Sequence, residues 1–401
     1  MKKILALALA LAMIFVVVAC GNGDNGAVTS PPPAGNGGGG EQSPPPAGNG
    51  GGGEQSPPPG GNGEEEDPPV DDGRIRLALV TDYGTIDDGS FNQGSWEGMV
   101  AYALEHGISH QYIQPAEVSD AAYVDAIELA VIGGAELIVT PGFLFAAAVY
   151  EAQALFPDVA FVLIDSVPRG PDGPYVAQNT VGVLYAEEES GFLAGYSAVL
   201  EGHRELGFIG GIAVPAVVRF GTGFVEGAEY AANELGLAAG EITIRYTYAG
   251  TFSPSPDVQT MAAAWYMDGV EIIFAAAGGA GFSVFAAAEA ANALAIGVDI
   301  DQSGASETVI TSALKGLQAS VYQVIEDFYN GRFPGGQEKI FNAALDGVGL
   351  PMATSRFQNF TNAQYDAIFA RLASGAINLS TTIGADAHMN LNISLVELID
   401  I

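Results

Sequence analysis

From Arg74 onward the chain alternates short apolar runs with longer helical stretches, and this alternation constrains the fold more than any other feature. Runs such as Leu77–Val80 and Glu136–Thr140 are too short for helices and are bounded by Gly, Asp, Pro or Ser. They predict strands buried on both faces of a parallel sheet. Strands are expected at 76–81, 111–114, 136–140, 160–165 and 180–183, with helices at 91–105, 121–133 and 143–156 between them. A second series follows. Helices 187–201, 217–235, 257–267 and 281–294 alternate with strands 206–211, 242–248, 271–276 and 295–299. Strand 309–313, helix 315–329, strand 340–345 and helix 362–373 end the pattern. Regular βα alternation predicts an α/β fold with helices on both sheet faces, and two series predict two Rossmann-like lobes. The first lobe is assigned 74–183 plus 306–334, and the second 184–305 plus 335–401. Ile272 to Ala288 is uncharged and mostly apolar, but Gly278-Gly279-Ala280-Gly281 divides it into strand and helix rather than a membrane span.

Residues 1–73 cannot build such a core. Lys2 and Lys3 precede an apolar run, Ile4 to Val18, and then small residues before Cys20, the only cysteine. The run is shorter than a bilayer span, so residues 1–20 read as a lipoprotein signal peptide and Cys20 as the lipidated N-terminus. Residues 21–73 read as a disordered tether: SPPPAGNGGGGEQ starts at Ser30, repeats at Ser43 and returns in degenerate form at Ser56. The expected location is the extracytoplasmic face of the cell membrane. A formal net charge of −34 argues against a nucleic-acid partner, which needs a positive surface. One cysteine permits neither an intrachain disulfide nor a cysteine metal cluster.

The stretch Leu77 to Met99, LALVTDYGTIDDGSFNQGSWEGM, runs from strand through a polar loop to a helix with Ser90 as candidate N-cap. Open α/β sheets bind ligands in such loops. Polar hooks (Asp82, Asn92, Gln93) stand beside aromatic faces (Tyr83, Phe91), a set suited to a small polar molecule with a flat ring. Other strand ends repeat the logic with Asp165-Ser166, Gly278-Gly279 and Asp299-Ile300-Asp301. Each carboxylate could instead cap the next helix; together they favour one cleft. Beyond the signal segment the lysines are Lys315 and Lys339. Lys315 follows a strand and is expected to face Asp82 or Asp299 across the cleft, the alternative being a surface lysine. Phe252 and Phe91 could sandwich a planar base if the lobes close, or could simply be core.

Catalysis finds little support. His106 and His110 have helical spacing, but Gly107 intervenes and no third ligand is near. No nucleophile elbow, zinc-protease or Walker motif occurs, and Asp82, Asp87 and Asp88 lack the alternation of a calcium loop. The expectation is a binding protein, not an enzyme, without metal or cofactor.

The segments LVTDYGTIDDGSFNQGSWEG, AELIVTPGFLF, FVLIDS, ESGFLAGY, GTFSPSPD, VEIIFAAAGGAG, IGVDIDQ, VITSALKG and NGRFPGGQ, spanning residues 76 to 355, resemble the basic membrane protein family of lipoproteins, close to its purine nucleoside receptors. The resemblance implies a periplasmic-binding-protein type I fold with a hinge and central cleft, serving an ABC importer's permease and ATPase. It implies ligand contacts at Asp82, Phe91, Asn92, Asp165, Phe252, Gly278, Asp299 and Lys315. The aromatics would stack a base, Asn92 and Asp165 would read its edge, and Asp299 with Lys315 would hold the ribose. Tyr83 and the Pro/Gly-rich loop 168–174 depart from the family pattern. The expected function is nucleoside capture, purine favoured; a surface lipoprotein for adhesion or signalling, or a receptor for another heterocycle, is the alternative.

Overall fold

The computed structural model describes residues 73–82 and 84–401. The expected signal segment, Cys20, the tether apart from Gly73, and Tyr83 lie outside the described residues. The chain runs β1 (Leu77–Val80), α1 (Phe91–His106), β2 (His110–Ile113), α2 (Asp120–Ile132), β3 (Leu137–Pro141), α3 (Ala146–Leu155) and β4 (Ala160–Ile164). A small hairpin, β5 (Arg169–Gly170) and β6 (Gly173–Pro174), precedes β7 (Thr180–Tyr185) and α4 (Glu187–Glu201). Next come β8 (Glu205–Gly210), α5 (Pro215–Leu235), β9 (Ile242–Tyr248), α6 (Pro256–Met267), β10 (Ile272–Ala276), α7 (Gly281–Ala291) and β11 (Leu294–Asp299). The last elements are β12 (Val309–Lys315), α8 (Leu317–Tyr329), β13 (Gln337–Phe341), β14 (Val348–Gly349), α9 (Asn362–Ala373) and β15 (Val396–Asp400). Among the described residues no helix is long and apolar enough to cross a membrane.

Two sheets organise these elements, as the alternation predicts. One has the order β2-β1-β3-β4-β7-β13, the other β15-β9-β8-β10-β11-β12-β14. Five strands follow the same order in both, β2-β1-β3-β4-β7 and β9-β8-β10-β11-β12, so β4 in one sheet corresponds to β11 in the other. Fully buried runs such as β1, β3, β4 and β10 occupy the centres, where both faces are covered by helices.

The pairing corrects the expected exchange of segments near the C-terminus. Residues 306–334 do not belong wholly with the first sheet, since β12 pairs with β11 in the second. Residues 335–401 do not belong wholly with the second, since β13 pairs with β7 in the first. Burial explains both placements. Val309 to Ala313 is buried throughout and needs partners on both sides, whereas Gln337, Glu338 and Ile340 are exposed and suit an edge. Lys315 therefore ends a strand rather than starting a helix, and α8 begins at Leu317 and packs on α1 of the other lobe. The edge strand β15 carries no clear sequence signal; it pairs with β9 over Val396–Asp400, and Glu229 on α5 anchors its start by accepting the backbone N–H groups of Ser394, Leu395 and Val396 at 2.9–3.1 Å.

The chain leaves the first sheet through α4, which crosses onto α5 at unusually close range. Gly191 and Gly195 on α4 face the carbonyl oxygens of Phe220 and Phe224, and Gly223 and Gly227 on α5 face those of Glu188 and Phe192. A Cβ at any of the four would run into backbone rather than a movable side chain. Two G-x-x-x-G pairs at one-turn spacing thus weld the helix that carries the chain between the sheets. Gly195→Ala is expected to destabilise the protein by about 1–3 kcal/mol through overpacking, despite alanine's better helix propensity. Calorimetric unfolding of this variant against an exposed control, Gly236→Ala, checks it: the control is strained only by its left-handed φ of 67° and should cost less.

Candidate ligand-binding site

The loops at the carboxyl ends of the strands enclose a cavity of about 520 Å³. All eight residues singled out from the sequence line it: Asp82, Phe91, Asn92, Asp165, Phe252, Gly278, Asp299 and Lys315. Asp301 and Ser166, named from the same strand ends, do not; Asp301 turns away to accept the Thr354 hydroxyl at 2.5 Å. Asp165 follows β4 and Asp299 ends the equivalent β11, and both adopt left-handed backbone, with φ of 61° and 67°. Aspartate tolerates that conformation better than most residues, and it turns both carboxyls from the sheets into the cavity.

The helix N-terminus at the first lobe is built differently from the sequence expectation. Ser90 occupies the N-cap position of α1 but makes no side-chain cap. Asp88 does that work, accepting the backbone N–H of Ser90, Asn92 and Gln93 at 2.9–3.0 Å. The Ser90 hydroxyl is left to donate to Asp299 Oδ2 at 2.6 Å, from one sheet's loop to the other's. Gln302 Nε2 makes a similar crossing to the Gly89 carbonyl at 2.8 Å. Asn92 is 3% exposed, and its amide donates to Asp82 Oδ1 at 3.1 Å and Asp88 Oδ2 at 3.0 Å. Two carboxylate acceptors fix the orientation of that amide, so Asn92 Oδ1 is its remaining acceptor; it is buried, with no hydrogen-bond partner among the described residues.

Lys315 anchors the opposite wall. Its ammonium donates to Asp165, stands 3.4 Å from Glu187 Oε1 and 3.9 Å from Asp299 Oδ1, and lies 4.9 Å from the Phe91 ring centroid. The expectation that Lys315 meets Asp82 or Asp299 across the cleft is thereby corrected. Asp299 lies on the neighbouring strand of the same sheet, and the carboxylate across the cleft is Asp165, at the end of β4. Glu187, wholly buried at the start of α4, also accepts from Arg219 Nε at 2.6 Å, and Glu188 lies 3.5 Å from the same nitrogen.

Four carboxyls thus share two cations in a largely buried cluster, and burial, with the excess negative charge added to it, raises the proton affinity of its carboxyls. Burial pushes Asp165 up to about 7 even against Lys315, and burial also pushes Glu188 up to about 7. Asp299 moves in the same direction for the same reason. Lys315 is held above the usual lysine range: Asp165, Glu187 and Asp299 outweigh its own desolvation, the largest opposing influence. Asp165 Oδ1, like Asn92 Oδ1, is buried with no hydrogen-bond partner among the described residues.

Phe91 and Phe252 both line the cavity, with Phe220 and Phe282 beside them. Phe252 lies against Gly211, where a Cβ would strike the ring, and Phe282 lies against Gly89 in the same manner. Sequence reading missed Glu187, Arg219 and Phe282. A signal existed for two of them: Arg219 interrupts the apolar run Pro215 to Phe220, and Glu187 heads three consecutive glutamates at the start of a helix whose centre is apolar. Charges in buried elements are rarely incidental.

Comparison with known proteins follows the same lines. Residues 75–377 match the Bmp family model, described as ABC transporter substrate-binding protein PnrA-like. The chain is 31% identical over 310 residues to the ABC transporter nucleoside-binding protein BmpA of Lactococcus lactis, covering 71% of this chain and 84% of that protein. It is 29% identical over 299 residues to basic membrane protein D of Borreliella burgdorferi, covering 73% and 84%. In structure it is similar to an ABC transporter solute-binding protein from Aeropyrum pernix, with a TM-score of 0.67 at 23% identity over 79% of this chain and 96% of that one. A solute-binding protein from Conexibacter woesei gives 0.63 at 23% identity over 77% and 100%. The structural likenesses establish the periplasmic-binding-protein type I fold.

The buried cluster sets a pH dependence of stability. Asp165 and Glu188 have folded-state values above their unfolded ones, so their contribution is fully present below about 4 and is lost as pH rises through about 7. Glu229 and Asp301, lowered by hydrogen bonds that outweigh burial, are ionised across that window. The ligand-free protein should therefore unfold at a lower temperature at pH 8 than at pH 5.5. Glu188→Gln, which removes one of the raised carboxyls, should make the slope shallower; a slope unchanged in the variant would contradict the assignment.

Proposed function

The chain belongs to the Bmp family of ABC transporter substrate-binding proteins, solute receptors rather than enzymes, and on that premise we propose that its cleft captures a nucleoside, a purine nucleoside foremost. The observation that carries this reading is a pair of buried oxygens with no hydrogen-bond partner among the described residues, Asn92 Oδ1 and Asp165 Oδ1, in a cavity that also presents aromatic faces. An unsatisfied buried acceptor costs about 1–3 kcal/mol, a cost that N–H donors on a base edge would relieve. Phe91 and Phe252 supply the faces between which a planar ring stacks. Asp299 and Lys315, together at the far wall, are suited to accept from and donate to adjacent sugar hydroxyls. The volume lies within the roughly 300–1,000 Å³ range of small-molecule sites. Likeness to a Lactococcus relative named as nucleoside-binding supports the same class.

In this reading the protein is tethered at the outer face of the cell membrane through lipidated Cys20. It delivers the nucleoside to a permease driven by an ATPase. The contacts from Ser90 to Asp299 and from Gln302 to Gly89 join the loops of the two sheets around the site. A closed form that buries the ligand would present a surface different from the open one, which is how a permease can distinguish loaded receptor from empty.

Isothermal titration of the purified, ligand-stripped protein with purine and pyrimidine nucleosides and free bases tests the proposal. Sub-micromolar, one-to-one binding of a purine nucleoside is expected, with no product formed. Asp299→Ala should weaken it by roughly 30-fold or more, the loss of a buried charged hydrogen bond. Folded protein that binds no member of the panel would rule the proposal out.

A further inference from the structure

Resting on the nucleoside reading only for its probe, we infer that Gln302 is a positioning residue: it latches the closed lobes through Gly89 and so sets how long a bound solute stays. Gln302 is not among the described residues that line the cavity. It is 3% exposed, and the second lobe holds it by both main chain and side chain. Its backbone N–H donates to Ser312 Oγ at 3.0 Å, and its Oε1 accepts the backbone N–H of Val298 at 2.8 Å. Gly297 lies against it, where a Cβ would come within 2.6 Å of that oxygen. The acceptor role of Oε1 fixes the amide orientation, so Nε2 is the end that crosses to the Gly89 carbonyl at 2.8 Å.

The receiving loop is fastened to the first lobe in turn. Gly89 donates its N–H to Gln93 Oε1 at 3.0 Å and takes a left-handed φ of 64°. Phe282 of the second lobe fills the space beside it, and a Cβ there would meet the ring at 2.5 Å. Asp88, immediately before it, accepts the backbone N–H groups of Ser90, Asn92 and Gln93. Phe91 and Asn92 therefore ride on the turn that Gln302 grips, and the grip fixes where they stand relative to Asp299 and Lys315.

The contact from Ser90 to Asp299 also spans the mouth, but it differs in kind. Asp299 lines the cavity, so a solute hydroxyl competes with Ser90 for its carboxylate. The bond from Gln302 uses an amide outside the cavity and a carbonyl turned toward it, and a solute has no need to displace it. A bond that forms only once the lobes have met is absent while a solute enters and must break before it leaves. It therefore slows release and leaves capture unchanged.

Gln302→Glu is the selective variant: it keeps an oxygen for the Val298 N–H and replaces the donor to Gly89 with a second acceptor. Gln302→Met, of similar length, removes both side-chain bonds. Stopped-flow mixing of each full-length variant with adenosine, guanosine and inosine at pH 8 gives the association and release rates. Spin labels on Glu128→Cys and Met267→Cys, exposed sites on the two lobes, in a Cys20→Ser background give the distance between lobes. Both variants should release nucleoside roughly 10-fold faster, with association unchanged within about twofold. Without nucleoside, the labels should report longer distances in Gln302→Glu than in the parent protein. Unchanged release in the folded variants, slower association alone, or failure of both variants to fold would make Gln302 a structural support and overturn the inference. Should no nucleoside bind the parent protein, the nucleoside reading fails by itself. The distances then decide the latch: a shift in Gln302→Glu upholds it, and no shift overturns it.

Discussion

The ammonium of Lys315, buried among Asp165, Glu187 and Asp299, is the interaction on which the rest of the architecture depends. A lone cation in that position would be too costly to desolvate, and three carboxylates without it would repel one another. Each group tolerates burial because of the others. The cluster also gathers distant segments: Asp165 follows β4 of the first sheet, Glu187 opens the crossing helix, Asp299 and Lys315 end neighbouring strands of the second. Stability alone would be served as well by apolar packing. Retaining charges here makes sense where a polar solute must be received.

Duplication of one strand order explains why such a cluster can form. Both sheets place their central strand ends toward the same cavity, and the helices after β7 and β12, the last strands of the shared order, are exchanged, α4 onto the second lobe and α8 onto the first. The exchange brings Glu187 and Lys315, residues near the two crossings, within 3.4 Å. Glycines hold the α4–α5 crossing at backbone distance, so this link is stiff. Across the mouth the contacts are fewer and polar, Ser90 to Asp299 and Gln302 to Gly89, with Phe282 packed on Gly89. A stiff base with a lightly bonded mouth is the mechanical arrangement hinge closure requires.

Local chemistry made much of this legible. The buried strands are short apolar runs, and α4, β9 and α9 begin and end at the residues their patterns predict. The strand-end aspartates and Phe91, Asn92 and Phe252 could be named because loops after parallel strands converge. What failed was non-local. That β12 joins the second sheet and β13 the first depends on which neighbour has an open edge. That Asp88 rather than Ser90 caps α1 depends on Asp299 approaching from the other lobe to take the serine hydroxyl.

The amino-acid sequence by itself determined the α/β class, the two series of strands and the residues carrying polar and aromatic groups at their ends. Periodicity and turn chemistry act over a few residues and need no partner. Tertiary structure alone decided which charges meet. Lys315 lies 150 positions from Asp165 and 128 from Glu187 along the chain, and only the crossing of the lobes makes them one buried cluster. Burial then set their proton affinities and left Asn92 Oδ1 and Asp165 Oδ1 without partners among the described residues, properties of the enclosure and not of any segment.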